Sequence, residues 1–405
     1  MSCHIETILV LNAGSSSLKF TLYKISGEQR LANGVVERIG YGSANMVYRR
    51  GDEPKSETPV IARNHSDAIQ LVCKALTDPE KGVIKSLREI DAIGHRVLHG
   101  AEIFKEATLM TPETLDKVRE LIPFGPLHMP PNIGGIEACE KTFPGVPNVG
   151  VFDTAFHQTM PDYASHYAIP EEYYHKYGFR KYGFHGTSHH YITVATARYL
   201  DKPVDQVNLV TCHLGNGSSL AAIKNGKVLD TTMGLTPLAG VVMGTRSGDI
   251  DPAIVLELVR KGMTADEIDN LLNKKSGLLG VGGINSNDMR DIIKNAEAGY
   301  HGAQLALDMW AHRIVQYIGA YFTLIGGADA IVFTGGIGEN SWQARDRVIP
   351  RLSCLGVDYD AEANRTLRGT GLLSKPESRV KVIVMPTDEE LMIARETYQV
   401  VTKGC

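Results

Sequence analysis

Three glycine-rich turns, two arginines, a histidine and an aspartate carry most of the chemistry this sequence offers. The turns are 12–17 (Asn-Ala-Gly-Ser-Ser-Ser), 213–217 (His-Leu-Gly-Asn-Gly) and 335–340 (Gly-Gly-Ile-Gly-Glu-Asn), each directly after an apolar, β-rich run. Glycine lets successive backbone N–H groups converge on a phosphate with no Cβ in the way. One such turn is as well read as an ordinary structural turn. Three of them, each behind a strand, favour a nucleotide cleft between two domains. The phosphate is not held by a P-loop or a dinucleotide fingerprint. The only Gly-Lys pair, Gly226-Lys227, has Ala221 where the first P-loop glycine belongs, and no G-x-G-x-x-G occurs.

Arg246 lies in Met-Gly-Thr-Arg-Ser-Gly-Asp-Ile-Asp-Pro (243–252), a charged, glycine-rich stretch after an apolar one. A guanidinium stays charged and donates in pairs, so it suits a phosphate or a carboxylate. It could equally tie its loop to a carboxylate such as Asp249. Arg96, at the end of an expected strand, has the same two readings. His185, in Tyr-Gly-Phe-His-Gly-Thr-Ser (182–188), fits a donor to developing negative charge or a core histidine with one satisfied bond. Asp153, after Val151-Phe152, suits a water, a metal, an arginine or a helix cap. His95/His99 and His185/His189 have i,i+4 spacing, but neither pair has the glutamate of H-E-x-x-H, which argues against zinc.

Short β-rich runs alternate with amphipathic segments, the pattern of an α/β protein. Residues 7–11 and 18–23 make strands flanking the first turn, and 91–97 makes another. Ser66 or Asp67 is placed to cap a helix running to Leu76. Residues 208–224 repeat the strand, turn and strand of the opening segment, ending the turn again in Ser-Ser-Leu, which suggests duplicated halves. Ala303, Leu307, Trp310, Ile314, Ile318 and Tyr321 share one face of a core helix. Strands follow at 329–334 and 380–385, and Thr387-Asp388-Glu389-Glu390 reads as a capping box that puts Glu389 in the first turn of a last helix.

At 405 residues the chain fits about two domains. Its 43% hydrophobic and 22% charged residues are globular composition, and a net charge of −4 gives no basic field for nucleic acid or anionic lipid. The opening Met1-Ser2-Cys3-His4-Ile5-Glu6 lacks a basic n-region, so no signal peptide is expected. No apolar run reaches the roughly eighteen residues of a membrane span. Six cysteines (Cys3, Cys73, Cys139, Cys212, Cys354, Cys405) stand singly, as reduced packing residues of a cytoplasmic protein would.

Taken together, these segments resemble the acetate kinase family of the actin, sugar-kinase and heat-shock ATPase superfamily, nearly end to end. The resemblance is carried by N-A-G-S-S-S-L-K-F (12–20), G-H-R-V (94–97), F-D-T-A-F-H (152–157), Y-G-F-H-G-T-S-H (182–189), H-L-G-N-G-S-S (213–219), M-G-T-R-S-G-D-I-D-P (243–252), G-I-G-E-N (336–340) and P-T-D-E-E (386–390). It implies two duplicated actin-like, ribonuclease H-like α/β domains, 1–155 with 388–405 and 156–387, around an interdomain cleft. It implies transfer of the γ-phosphoryl group of ATP to acetate with Mg²⁺, Mn²⁺ being able to stand in, in a homodimer. By position, Asn12 and Glu389 correspond to the metal-side residues, Lys19 to an ATP-contacting lysine and Arg96 to the carboxylate-binding arginine. Asp153, His185 and Arg246 match the catalytic residues. His213, Leu214, Gly215, Asn216, Gly217, Asp288, Met289, Arg290, Gly336, Ile337, Gly338, Glu339 and Asn340 match the nucleotide-contacting stretches.

The chain departs from the family pattern at Met129, at Ala239 and at Leu98, where valine is usual. Leu98 with Leu127, Phe184 and Pro237 is expected to line the acyl pocket, one methylene narrower than usual. The implied roles agree with the chemistry. A carboxylate is already ionised at pH 7 and needs no strong base, so Asp153 is expected to orient an arginine or a metal-bound water. What the reaction needs is neutralisation of two anions brought together.

Overall fold

The structure, a computed structural model, describes residues 4–403; Cys3 and Cys405 lie outside them. Contacts divide the chain into two units, one ending at Ala155 and resuming at Asp388, the other running from Phe156 to Thr387. In the first, the run Ile8-Leu9-Val10-Leu11 is buried throughout, which is why it is apolar without alternation. It forms β1 (Thr7–Ala13), antiparallel to β2 (Ser17–Lys24) with Leu11 opposite Phe20 and Asn12 opposite Lys19. Burying each such side chain stabilises by about 1.5–3 kcal/mol, and with both faces apolar the hairpin turn sets the register.

The eight-stranded sheet has the order β5-β4-β3-β2-β1-β6-β8-β7, with β3 Gln29–Glu37, β4 Ala44–Arg50, β5 Ser56–Val60, β6 Ala92–Val97, β7 Thr108–Leu109 and β8 Asn148–Phe152. The second unit's sheet has the order β11-β10-β9-β12-β14-β13, with β9 Leu209–Leu214, β10 Ser218–Lys224, β11 Lys227–Thr231, β12 Ala330–Thr334, β13 Gly371–Leu372 and β14 Lys381–Val384. Five strands are equivalent. In each sheet three antiparallel strands come first (β3-β2-β1 and β11-β10-β9), and two strands parallel to the third follow (β6-β8 and β12-β14). The hairpin echo in the sequence is therefore a duplicated actin-like sheet.

The helix His301–Ile325 buries Ala303, Leu307, Trp310, Ile314, Ile318 and Tyr321 as its periodicity predicts. The C-terminal helix Glu389–Lys403 buries Leu391, Met392, Ile393, Ala394 and Thr397 in the first unit. It packs so closely on β6 that a Cβ at Gly94 would overlap the Thr397 hydroxyl and come 2.8 Å from Ile393 Cγ2.

Four local expectations are corrected. Asn64 caps the helix His65–Leu76, because its extended backbone aims Oδ1 at the Asp67 N–H, while Asp67 accepts from Arg63. Asp388 caps the last helix by accepting from the Leu391 N–H at 2.9 Å; the Thr387 hydroxyl bonds to Ser188 instead. The first turn begins only after Ala13, since Asn12 is still paired in β1. Residues 335–340 form a short helix, Gly335–Asn340, entered through Gly335 at φ +75°.

Candidate active site

In the first unit, β6 and β8 run parallel with Arg96 beside Val151 and Val97 beside Phe152. The Asp153 N–H donates to the Val97 carbonyl at 3.0 Å, extending the ladder by one step. That register brings the next two side chains together. Arg96 donates through Nε to both Asp153 oxygens (3.1 and 3.0 Å) and through Nη2 to Oδ2 at 2.6 Å. Asp153 is only 1% exposed, and its charge raises the Arg96 pKa despite burial. Both Asp153 oxygens thus accept from the Arg96 fork.

Glu389 joins this cluster from the first turn of the C-terminal helix. Burial pushes its carboxyl up, the Arg96 guanidinium opposes this, and Asp153 adds to it. Glu390 is pushed up by burial and by Glu389 and Asp388. Asn12, one residue before the end of β1, stands opposite Lys19, which is exposed. Asn132 fixes both strand ends: its Nδ2 donates to the Ala13 carbonyl at 2.7 Å, and its Oδ1 accepts from the Leu98 N–H at 3.0 Å. Leu98 is half-buried, its Cδ2 filling the space over Gly125, whereas Leu127 is 68% exposed.

The second unit holds His185 and Arg246. His185 precedes the helix Gly186–Tyr199 in the left-handed region at φ 57°, uncommon outside glycine. Its ring stacks on His213, with centroids 4.3 Å apart. The Arg246 Nη1 donates to the Pro237 carbonyl at 3.3 Å. No carboxylate among the described residues pairs with Arg246, and burial lowers its pKa. Asp249, the alternative partner, accepts instead from Gly240 N–H and from the Tyr317 hydroxyl. Arg246 Nη1 and His185 Nε2 converge: they would lie 3.1 and 3.6 Å from a Cβ placed on Gly217. Only glycine at 217 keeps that space open. Phe184 is buried, and its carbonyl accepts from His157 Nε2.

Beside this turn is a cleft of about 660 Å³, a usual ligand volume, walled by Asn216, Asp288, Met289, Arg290, Gly336, Ile337 and Asn340. Asp288 caps its helix and takes a bidentate bond from Arg290 (3.0 and 2.6 Å), which lowers its pKa to about 2. A Cβ on Gly336 would meet nothing within 4 Å, so its backbone faces open space. Two residues expected at the nucleotide turn inward. Leu214 is buried in the core. Glu339 folds back, its Oε1 accepting from the Gly335 and Thr387 N–H groups at 2.9 and 3.2 Å.

His95 and His99 take structural partners, Asn148 Oδ1 and the Ala101 N–H, and burial lowers both to about 4. No group of three or more His, Cys, Asp or Glu among the described residues is arranged to hold a metal.

The acetokinase family model matches residues 7–395. The chain belongs to the acetokinase family. It is 52% identical over 400 residues to the acetate kinase of Caldicellulosiruptor saccharolyticus, covering 98% of this chain and 100% of that one. It is 51% identical to that of Thermotoga maritima, covering 98% and 99%. Among solved structures, acetate kinase from Porphyromonas gingivalis superposes with a TM-score of 0.93 at 44% identity, covering 98% of this chain and 100% of that one. A propionate kinase from Francisella tularensis superposes with 0.90 at 41%, with the same coverage. Within this acetokinase-family chain, three further residues stand beside the site without having been assigned to it by the motifs. Arg345, 3% exposed, donates Nη1 to the Gly338 and Glu339 carbonyls (2.8 and 2.9 Å) at the end of the 335–340 helix; burial lowers it to about 10. Ser219 and His189 lie behind His185. The H-x-x-x-H spacing at 185–189 marked one of them, but only as a metal candidate.

Proposed function

We propose that the protein is an acetate kinase: it transfers the γ-phosphoryl group of ATP to acetate by direct in-line transfer, reversibly, giving acetyl phosphate and ADP. The observation that carries this reading is the convergence of Arg246 and His185 on Gly217, next to Asn216 in the wall of the nucleotide cleft. Such donors stabilise the equatorial oxygens of a phosphoryl group in flight. The second unit holds ATP through the 213–217 turn, residues 288–290 and the 335–340 helix. The first unit brings the acid to Arg96, whose fork Asp153 fixes. Hydroxamate formation from acetate, ATP and hydroxylamine tests the reaction; ATP hydrolysis without hydroxamate would refute it.

Magnesium is the divalent ion this reading requires. The donors offered, the Asn12 amide and the Glu389 carboxylate, are oxygen only and few, which fits an ion that keeps waters and takes phosphate oxygens. Burial of Glu389 beside Asp153 and Asp388 leaves negative charge that a cation relieves. When bound, the ion neutralises phosphate charge. Glu389→Gln is expected to raise the Mg²⁺ concentration for half-maximal rate about tenfold or more, read by Mg²⁺ titration at fixed ATP. Mn²⁺ is expected to substitute.

Leu98, with Leu127, Phe184 and Pro237, is proposed to bound the acyl tail. Leucine in place of valine favours acetate over propionate by about 1–3 kcal/mol. Leu98→Val is expected to raise kcat/KM for propionate relative to acetate; an unchanged ratio would remove Leu98 from the pocket. We place the reaction in the cytosol, where ATP is made and buried thiols such as Cys73, Cys139 and Cys212 stay reduced. A homodimer is the proposed assembly. The helix Pro252–Arg260 is apolar yet buries no residue, with Ile254, Leu256 and Val259 about half exposed. Leu256→Glu with Val259→Glu is expected to yield monomers in sedimentation velocity.

A further inference from the structure

The carboxylate that precedes Glu389 has partners of its own. Asp388 Oδ1 accepts from the Leu391 N–H at 2.9 Å and from the Tyr23 hydroxyl at 3.0 Å, and Oδ2 accepts from Arg30 Nη2 at 2.7 Å. The same Arg30 nitrogen lies 3.3 Å from the Tyr23 hydroxyl oxygen, which closes a triangle. Chemistry fixes every direction in it. A guanidinium and a backbone N–H only donate, a carboxylate accepts, and the single Tyr23 hydrogen goes to Asp388. Burial and the Asp388 charge raise the Tyr23 pKa, so that hydrogen stays on the phenol. All of these residues belong to the first unit.

The strands explain the meeting. Lys19, Thr21 and Tyr23 alternate onto one face of β2, the face on which Lys19 stands opposite Asn12. Between β2 and β3, Leu22 stands opposite Ala32, but Tyr23 stands opposite Arg30 rather than Leu31. This bulge puts one extra residue in β3 and sets a cation beside Tyr23 where regular pairing would set a leucine. The Arg30 guanidinium carbon lies 5.8 Å from the centroid of the Tyr23 ring. The Arg30 and Asp388 side chains are 41% and 22% exposed, and an ion pair so exposed adds little stability. What it supplies is direction.

The last helix opens on three acids in a row, Asp388, Glu389 and Glu390. Besides burial, the Asp388 charge pushes both glutamates up, a sign of mutual repulsion. Tyr23 and Arg30 engage the Asp388 carboxylate, which caps the helix, and the Glu389 carboxylate is left to face Arg96, Asp153 and Lys19. The rest of the helix is held by other means: its buried face from Leu391 to Thr397, and Arg395, which forks onto Glu28 at 2.6 and 2.8 Å.

We infer that Asp388, held by Tyr23 and Arg30, is a positioning residue that fixes the first turn of the C-terminal helix and with it the carboxylate of Glu389. This rests on the metal-side role proposed for Glu389, but the helix turn is readable without metal.

Two measurements test it. In metal-free protein, hydrogen exchange at the Leu391 and Met392 amides, which bond to the Asp388 side chain and carbonyl, is expected to be about tenfold faster in Tyr23→Phe than in wild type. Exchange beyond Thr397 is expected to stay unchanged. In kinetics, Tyr23→Phe and Arg30→Ala are each expected to raise the Mg²⁺ concentration for half-maximal rate, by about three- to tenfold, with KM for acetate unchanged. Arg30→Lys is expected to recover most of that shift. The sign separates position from charge, since removing a cation from among acids would by itself strengthen the pull on Mg²⁺ and lower that concentration. Arg395→Ala, which loosens the same helix further along, is expected to leave both readouts as in wild type. Unchanged exchange in Tyr23→Phe would overturn the inference whatever the Mg²⁺ response. With Glu389→Gln responding as proposed, a Mg²⁺ dependence that does not rise in Tyr23→Phe and Arg30→Ala, or that rises equally in Arg395→Ala, would refute it too. Failure of the metal reading shows separately, as a Glu389→Gln enzyme with wild-type Mg²⁺ dependence, and the exchange rates then decide alone.

Discussion

Arg246→Ala is expected to lower kcat by about a thousandfold or more, the range set by loss of a guanidinium that stabilises charge on a transferring phosphoryl group. Arg246 makes only two polar contacts in the unit, to the Pro237 carbonyl and the Met243 sulfur, and neither neutralises it. The folded protein therefore carries a half-buried cation with no carboxylate partner, a state whose cost falls when a phosphate arrives. Stability should accordingly change little, or rise, in Arg246→Ala, while turnover collapses. Arg246→Lys keeps the charge but loses the fork and is expected to recover only a small part of the rate. Paired thermal unfolding and steady-state rates decide this. A variant that loses activity only in step with its folded fraction would make Arg246 a structural residue.

Arg96 is expected to behave in the opposite way. Removing its side chain takes the guanidinium fork from Asp153, which is 1% exposed, and breaking comparable buried pairs costs about 3–5 kcal/mol. Arg96→Ala should therefore lose both stability and acetate-dependent hydroxamate formation. Asp153→Asn keeps the volume and hydrogen-bonding capacity, so it should fold more nearly as wild type while its acetate KM rises with the loosened fork. If Arg96→Ala melts with the wild type, the bidentate pair contributes nothing measurable, and the case for Asp153 as its orienting group fails.

Much of this arrangement is legible in the residue string, for a physical reason. Strands buried on both faces, such as Ile8–Leu11 and Ile331–Phe333, must be continuously apolar, and glycines that admit no Cβ, such as Gly217 and Gly335, cannot vary freely. Those two constraints mark the sheets and the turns between them. Direction is what a motif does not record. Glu339 sits in a phosphate-facing stretch, yet its carboxylate satisfies N–H groups of its own chain. Leu214 lies in a nucleotide-contacting stretch with its side chain in the core. The caps lie one to three residues from their expected positions because Asn64 and Asp388 compete with neighbours of similar capping ability, and only backbone angles decide between them. Ser219, Asn132 and Arg345 bond to partners 34, 119 and 7 positions away, which nothing in local spacing announces.

The placement of residues 389–403 against β6 has a consequence for biogenesis. The first unit lacks the cover over its central strands until residues 389–403 have been made and leave the exit tunnel. The half made later contains all of its own sheet and can consolidate earlier. Synthesis order and completion order are inverted, so a nascent chain that stops before residue 389 leaves the earlier-made sheet with an apolar face that chaperones would recognise.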